Sequence, residues 1–359
     1  MIERLQITSR LKMNKKKNTC VVYSLPRTFV TKDINYLKNI GHRVFKIESA
    51  PLKSIFKFLF NRINEVFKSI VLFPKLDSVF IWFSDYHSFI PLVFSKFFSV
   101  KSIIIVGGYD AISDPKLGHG VFLKKGLRQS IVKLNYYLSS EVWVVDRSLY
   151  KGCNVAYKQN KIKSGLINWI PEIKNKIQII PTAYSSLFWK RTKEKKPKTI
   201  LTVANIDHNR VFEIKGIPLI FDLAKKIPEF QFTIVGLKKN CMFDPYEKPR
   251  NVELIESKNK LQLRDFYSEA QYYFQPSRLE GLPNALCEAM LCECIPIGNK
   301  VFGIPNAIGK TGLLFNGINE IEKIASFLRT NKKINSLLAR KRIMSLFSEE
   351  KRIDKLRHV

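Results

Sequence analysis

Pro276-Ser-Arg-Leu-Glu280-Gly-Leu-Pro-Asn-Ala-Leu-Cys-Glu288-Ala-Met-Leu-Cys-Glu-Cys-Ile-Pro-Ile-Gly298 is the stretch whose reading decides the fold. It places two carboxylates eight positions apart, and Gly281, Pro283 and Asn284 follow the first closely. Leu286, Ala289, Met290 and Ile295 have the spacing of a short buried helix running into a buried strand. An apolar run, Gln271–Phe274, precedes the stretch as another strand. The order is therefore strand, loop, helix, strand. In an open α/β sheet, ligands bind outside the carboxyl ends of the strands. Glu280 falls in such a loop, and Pro283 or Asn284 opens the helix. The free backbone N–H groups of a helix start suit a phosphate, and Glu280 and Glu288 suit hydroxyl groups such as those of sugar rings. Phosphate and polyol together point to a nucleotide sugar.

Glu280 and Glu288, set in Pro-Ser-Arg-x-Glu-Gly and Glu-Ala-Met, resemble the paired-glutamate motif of glycosyltransferase family 4, retaining enzymes of the GT-B fold. The resemblance implies two Rossmann-like, doubly wound parallel-sheet domains and a C-terminal helix that crosses back to the first. It implies that Glu280 touches the transferred sugar and Glu288 the nucleotide ribose. Gly281 and Leu282 would offer backbone N–H groups near the donor, beside Pro283 and Asn284. Lys215 would lie against the donor diphosphate, where a compact cation meets the charge of the leaving group. The base would lie near Ile255. Family members usually carry an arginine just after the first strand of this domain. Asn205 stands there instead, which leaves Arg210 or Arg278 as the replacement cation. The resemblance is close over 199–315 and thin over 19–188.

The 359 residues suffice for two domains with cores of their own. Hydrophobic residues make up 45% of the chain, which excludes a disordered chain. Net charge is +31 and lopsided: residues 1–200 carry 36 Lys and Arg against 12 Asp and Glu. An anionic partner for the first half follows, nucleic acid or anionic lipid. The six cysteines (20, 153, 241, 287, 292 and 294) match no zinc spacing, so neither a metal site nor a cofactor is expected. Reduced thiols fit the cytoplasm. Residues 1–18 lack the apolar core of a signal peptide and read as a basic tail. No run reaches the ~18 apolar residues of a membrane span.

Thr19–Ser24, a helix to Ile40 and His42–Ile47 form a βαβ opening. Leu25-Pro-Arg27 stands where a dinucleotide fingerprint would be. Residues 52–72 read as an amphipathic helix with Ile55, Phe56, Leu59, Phe60, Ile63, Phe67 and Ile70 on its apolar side and Lys53, Lys57, Arg62 and Lys68 elsewhere. Such a helix fits core packing with a solvated polar face, and it also fits an acidic membrane surface. The strands 77–83 and 101–106 end at Asp85-Tyr-His87 and at Gly107-Gly108-Tyr109-Asp110, both facing the crevice. Asp85, His87, Gly108 and Tyr109 are thus candidates for the acceptor side. Asp110 is a candidate catalytic contact with sugar hydroxyls, or a cap for the next turn. A helix is expected over 122–138 and another over 148–157. The charge run 189–198 reads as the interdomain linker. The expected layout is a tail over 1–18, a first domain over 19–188, a second over 199–340 and a crossing helix over 341–359.

The reading is a metal-independent retaining glycosyltransferase. It would move a sugar from a UDP- or GDP-sugar to a saccharide acceptor on a lipid carrier, in surface-polysaccharide assembly at the inner face of the cell membrane. Three alternatives stand beside it. They are a GT-B nucleotide-sugar epimerase, a silent saccharide-binding relative, and a nucleic-acid binder. The last has no recognisable motif in the chain, so no nucleic-acid partner is expected.

Overall fold

The structure, a computed structural model, describes residues 16–50, 54–153, 162–237, 247–330 and 334–359. Most of the basic tail, Lys53, Cys241 and the last part of the helix expected over 148–157 lie outside the described residues.

Two six-stranded parallel sheets carry the architecture. The first contains β1 (Asn18–Tyr23), β2 (Arg43–Glu48), β3 (Ser78–Trp82), β4 (Lys101–Val106), β6 (Glu141–Val144) and β8 (Ile177–Ile179), in the order β2-β1-β3-β4-β6-β8. Its crossovers include helices α1 (Thr28–Asn39), α2 (Ile55–Leu72), α3 (Tyr86–Phe97), α4 (Leu127–Leu138) and the short α5 (Arg147–Lys151). A two-residue pair, β5 (Ile112–Ser113) with β7 (Lys163–Ser164), stands beside this sheet. The second sheet has the order β11-β10-β9-β12-β13-β14. Its strands are β9 (Lys196–Ile206), β10 (Gln231–Leu237), β11 (Val252–Glu256), β12 (Ala270–Gln275), β13 (Ile295–Asn299) and β14 (Leu313–Phe315). Helices α6 (Asn209–Ile214), α7 (Ile217–Lys226), α8 (Lys260–Glu269), α9 (Asn284–Leu291), α10 (Ile304–Ile308) and α11 (Ile321–Arg329) connect them, and α12 (Ser336–Leu346) and α13 (Glu349–Arg357) follow. Central strands such as Ile103–Val106 are wholly buried, as a sheet covered on both faces requires.

Several boundaries differ from the sequence expectation for local reasons. Helix α3 starts three residues early because Asp85 and Ser88 form a capping box at its start. Helix α4 starts at Leu127, since Gly126 has a φ of 155°, which no helix accepts. The charge run expected as a linker is tied to the second sheet. Lys196–Lys198 already belong to β9, Trp189 is buried against Tyr267, and the Lys195 ammonium donates to the carbonyls of Tyr267, Ala270 and Cys292, each at 2.8 Å.

The chain does cross back at its end. Arg352 of α13 donates from Nε to Asp33 of α1 at 3.0 Å and from Nη2 at 2.5 Å, with both residues buried. Tyr36 of α1 donates to Glu349 at 2.8 Å.

Core packing of the α2 apolar side is overturned. Phe56 is 81% exposed, and Leu59, Phe60, Ile63, Phe67, Ile70 and Val71 are exposed with it. The polar side faces inward instead. Glu65 and Ser69 are buried, and Arg62 pairs with Glu65 at 2.6 Å.

Candidate active site

In each sheet the strand order reverses once, between β1 and β3 in the first and between β9 and β12 in the second. Such reversals open a crevice at the carboxyl ends of the strands. The loops from all four ends line a single cleft of about 810 Å³. Ser24, Leu25, Arg27, Ser84 and Asp85 face it from one side, and Asn205, Lys215, Gln275 and Leu279–Asn284 supply the other.

Lys215 and Glu280 meet there, Nζ to Oε1 at 2.5 Å. They lie 65 positions apart in the chain. Three local features close that gap. Gly216 takes a left-handed φ of 69°, and any Cβ on it would come within 2.3 Å of the Pro276 carbonyl oxygen. The Arg278 amide donates to the Ile214 carbonyl at 2.8 Å. The buried Gln275 amide donates to Glu280 Oε1 at 3.0 Å. Gln275 Oε1 itself has no hydrogen-bond partner, so it is a further polar group at the cleft wall.

Glu288 sits on the second turn of α9, with Lys32 Nζ of α1 at 3.8 Å. Burial raises its pKa above the ordinary carboxylate value, while Lys32, Lys260 and the Tyr267 hydroxyl pull it down. Helix α9 opens as anticipated, with Pro283 in extended geometry and Asn284 as its first residue. The first turn leaves amide groups with no partner inside the helix. Leu282, Pro283, Asn284 and Ala285 line the cleft at that point. Asn284 Oδ1 is buried there without a partner.

The two lobes touch through glycines. A Cβ on Gly281 would stand 2.2 Å from the Gly107 carbonyl oxygen, and one on Gly108 would stand 3.7 Å from the Gly281 amide nitrogen. Only bare backbone fits at the first of these.

The structure sorts the remaining expected residues. Asp85, His87, Gly108, Tyr109 and Asn205 line the cleft. Asp85 is engaged by Arg128, Nε to Oδ1 at 2.9 Å, and His87 is a buried ring bonded to the Trp82 carbonyl at 3.0 Å. Burial lowers the His87 pKa and keeps the ring neutral. Asp110 is corrected. Its carboxylate is wholly buried off the cleft lining and accepts from the Ser84 and Gly108 amides at 3.0 and 3.2 Å and from the Tyr136 hydroxyl at 3.3 Å. Asp110 thus holds the two strand-end loops together. Burial pushes its pKa up to about 6. Arg210, Arg278 and Ile255 also lie off the cleft lining, and Arg210 donates to the Gly118 carbonyl at 3.2 Å. Among the described residues, the cations that face the cleft besides Lys215 are Arg27, Arg128 and Lys260. Sequence reasoning missed these three and Lys32. Arg27 sits in the loop after β1, a signal that was available; Arg128 and Lys260 reach the cleft, and Lys32 reaches Glu288, only through tertiary packing.

Residues 185–349 match the family model of glycosyl transferases group 1. That span includes Lys215, Glu280 and Glu288. The phosphatidylinositol N-acetylglucosaminyltransferase gpi3 subunit of Schizosaccharomyces pombe is 28% identical over 142 residues, 37% of this chain and 31% of that protein. The match thus spans about a third of the curated relative's length. Sucrose-phosphate synthase of Thermosynechococcus elongatus superposes with a TM-score of 0.70 at 13% identity, over 96% of this chain and 98% of that one. Anabaena HepE in complex with UDP-glucose gives 0.66 at 10% identity, over 95% and 98%. The pneumococcal O-GlcNAc transferase GtfA gives 0.57 at 15% identity, over 79% and 56%. The fold is GT-B, as the paired glutamates implied.

Proposed function

We propose that this protein is a retaining glycosyltransferase of the family 4 type that takes a nucleotide diphosphate sugar as donor and a lipid-linked saccharide as acceptor. One observation carries the reading. Lys215 and Glu280 are joined at 2.5 Å beside the start of α9, with Glu288 one turn further along the same helix and all of them in one cleft. A diphosphate fits between the Lys215 ammonium and the free amides of α9. Glu280 then accepts from hydroxyls of the transferred sugar and Glu288 from those of the ribose.

In the reaction the anomeric carbon–phosphate oxygen bond breaks through an oxocarbenium-like state. The acceptor hydroxyl forms the new bond on the face the diphosphate leaves, and its proton departs with the diphosphate. Lys215 and the helix amides meet the charge that develops on the leaving oxygen. That role needs no divalent cation. Asp85 and His87, on the first sheet's side, face the acceptor. The group 1 match and a relative named phosphatidylinositol N-acetylglucosaminyltransferase support sugar transfer to a lipid acceptor. Among the described residues no helix is long and apolar enough to cross a membrane. The site of action is proposed as the inner membrane face, within surface-polysaccharide assembly, and the domain boundaries are proposed as set out from the sequence.

The test is donor turnover by Lys215→Ala, Glu280→Ala and Glu288→Ala, after a thermal-shift screen of UDP-, GDP- and ADP-sugars has fixed the donor. Loss of one charge-stabilising contact costs on the order of 100- to 1,000-fold in kcat. Wild-type rates in all three variants overturn the site. A stereocentre inverted on incubation with donor alone assigns an epimerase instead.

A further inference from the structure

Helix α2 is turned inside out relative to an ordinary surface helix. At 100° per residue, Phe56, Leu59, Phe60, Ile63, Phe67, Ile70 and Val71 fall within an arc of about 120°. All seven are at least half exposed. The opposite side carries the polar groups that attach the helix. Arg62 donates to Glu65 and to the Tyr86 carbonyl, the latter at 3.0 Å, and Glu65 and Ser69 are buried. Three phenylalanines thus stand in water while an ion pair is held inside. Phe97, at the end of the neighbouring α3, is 78% exposed as well.

We infer that this stripe is the surface by which the protein docks on an anionic lipid bilayer. Charge complementarity selects that occupant. The described exposed charges on α2 and α3 are all lysines, namely Lys57, Lys68 and Lys96. The α2 carboxylate is Glu65, and it faces inward. A second copy of the chain would bring another net charge of +31 against this one, whereas anionic headgroups neutralise the lysines as the phenylalanines enter the acyl boundary. An 18-residue helix is about 27 Å long, so the stripe lies flat in the interface. The Arg62 bond to the Tyr86 carbonyl ties α2 to the residue after Asp85, at the cleft rim. Docking therefore sets the first sheet's side of the cleft beside the membrane, where a lipid-linked acceptor is found. That last consequence rests on the glycosyltransferase reading; the docking itself does not.

The experiment is co-sedimentation of the full chain with sucrose-loaded vesicles of phosphatidylcholine containing 30% phosphatidylglycerol, and with pure phosphatidylcholine vesicles. The variant is Phe56→Gln/Phe60→Gln/Phe67→Gln, whose positions are exposed, with thermal unfolding and circular dichroism as the check on folding. The wild type is expected to pellet with anionic vesicles, at least tenfold less with neutral ones, and the variant at least tenfold less with both. Equal sedimentation of variant and wild type overturns the proposal. So does a wild-type dimer by light scattering that the triple variant converts to monomer, because the stripe then belongs to a second copy. No donor or acceptor is present in the assay, so a failed glycosyltransferase assignment leaves its outcome unchanged.

Discussion

Lys32 Nζ, on α1 of the first sheet, stands 3.8 Å from Glu288 Oε1, on α9 of the second. The Lys32 ammonium also donates to the Ala183 carbonyl at 3.1 Å and lies 4.5 Å from the centre of the Tyr184 ring. Burial lowers the Lys32 pKa and raises that of Glu288, and the charge of each opposes the shift of the other. The Glu288 pKa is therefore held below what burial alone would set by a residue of the other sheet. Removing that cation lets burial raise the Glu288 pKa further. In Lys32→Met the acid limb of the kcat/KM profile is expected to move to higher pH, with recovery toward the wild-type rate on the alkaline side. An acid limb at the wild-type position contradicts this coupling.

Gly216 and Gly317 make a matched pair for testing how the Lys215–Glu280 contact is built. Both take left-handed φ angles, 69° and 67°, but only Gly216 has a neighbour that a Cβ would strike. Gly317→Ala should cost about 1–2 kcal/mol in denaturant unfolding, the ordinary cost of that backbone region. Gly216→Ala adds the clash with the Pro276 carbonyl, so Lys215 must shift. A misplacement of about 1 Å costs roughly 100-fold in rate, and turnover should fall on that scale in Gly216→Ala alone. Equal activities in the two variants would show that Gly216 does not set the position of Lys215.

What could be read from the sequence follows from how local each signal is. The strand–loop–helix–strand order around Glu280 and Glu288 rests on contiguous residues, and α9 begins where Pro283 and Asn284 placed it. The role of Asp110 was not local. Its partners Ser84 and Tyr136 lie 26 positions away on either side, so an acidic residue at a strand end looked like a cleft residue. Helix α2 shows a different limit. Its periodicity gave the apolar face correctly but could not tell which face turned inward, because amphipathicity is the same seen from either side. The charge run before β9 shows a third limit. Lys195 finds three carbonyl oxygens, an arrangement that composition does not encode.

Asp110 gives the protein a specific pH signature. Its folded pKa is raised from 3.8 to about 6. Between those values the folded chain binds more protons at this site than the unfolded chain, so stability falls as pH rises. The difference corresponds to roughly 3 kcal/mol across the window. Asp110→Asn removes this dependence and leaves one amide donor facing backbone N–H groups, a loss of about 1–3 kcal/mol. Urea unfolding from pH 4 to 7 should show the wild-type advantage over the variant shrinking as pH rises. A constant difference across that range is incompatible with a titrating Asp110.

Arg352 tests whether the returning C-terminal helix is structurally required. Its guanidinium holds both oxygens of the buried Asp33, reaches the Ile180 carbonyl at 3.3 Å and lies 5.3 Å from the centre of the Trp143 ring. Arg352→Met keeps the length and apolar stem but strands the Asp33 carboxylate, and breaking a buried pair from one side costs about 3–5 kcal/mol. The double variant Arg352→Met/Asp33→Leu removes both charges, so it should recover most of that loss in chemical denaturation. Additive losses in the double variant would mean that the two residues act independently, and the helix would then be held by packing around Leu356 and by Tyr36 with Glu349. Neither Arg352 nor Asp33 lines the cleft, so donor affinity measured by calorimetry at a temperature where both variants are folded should stay within about threefold of the wild type, well under 1 kcal/mol.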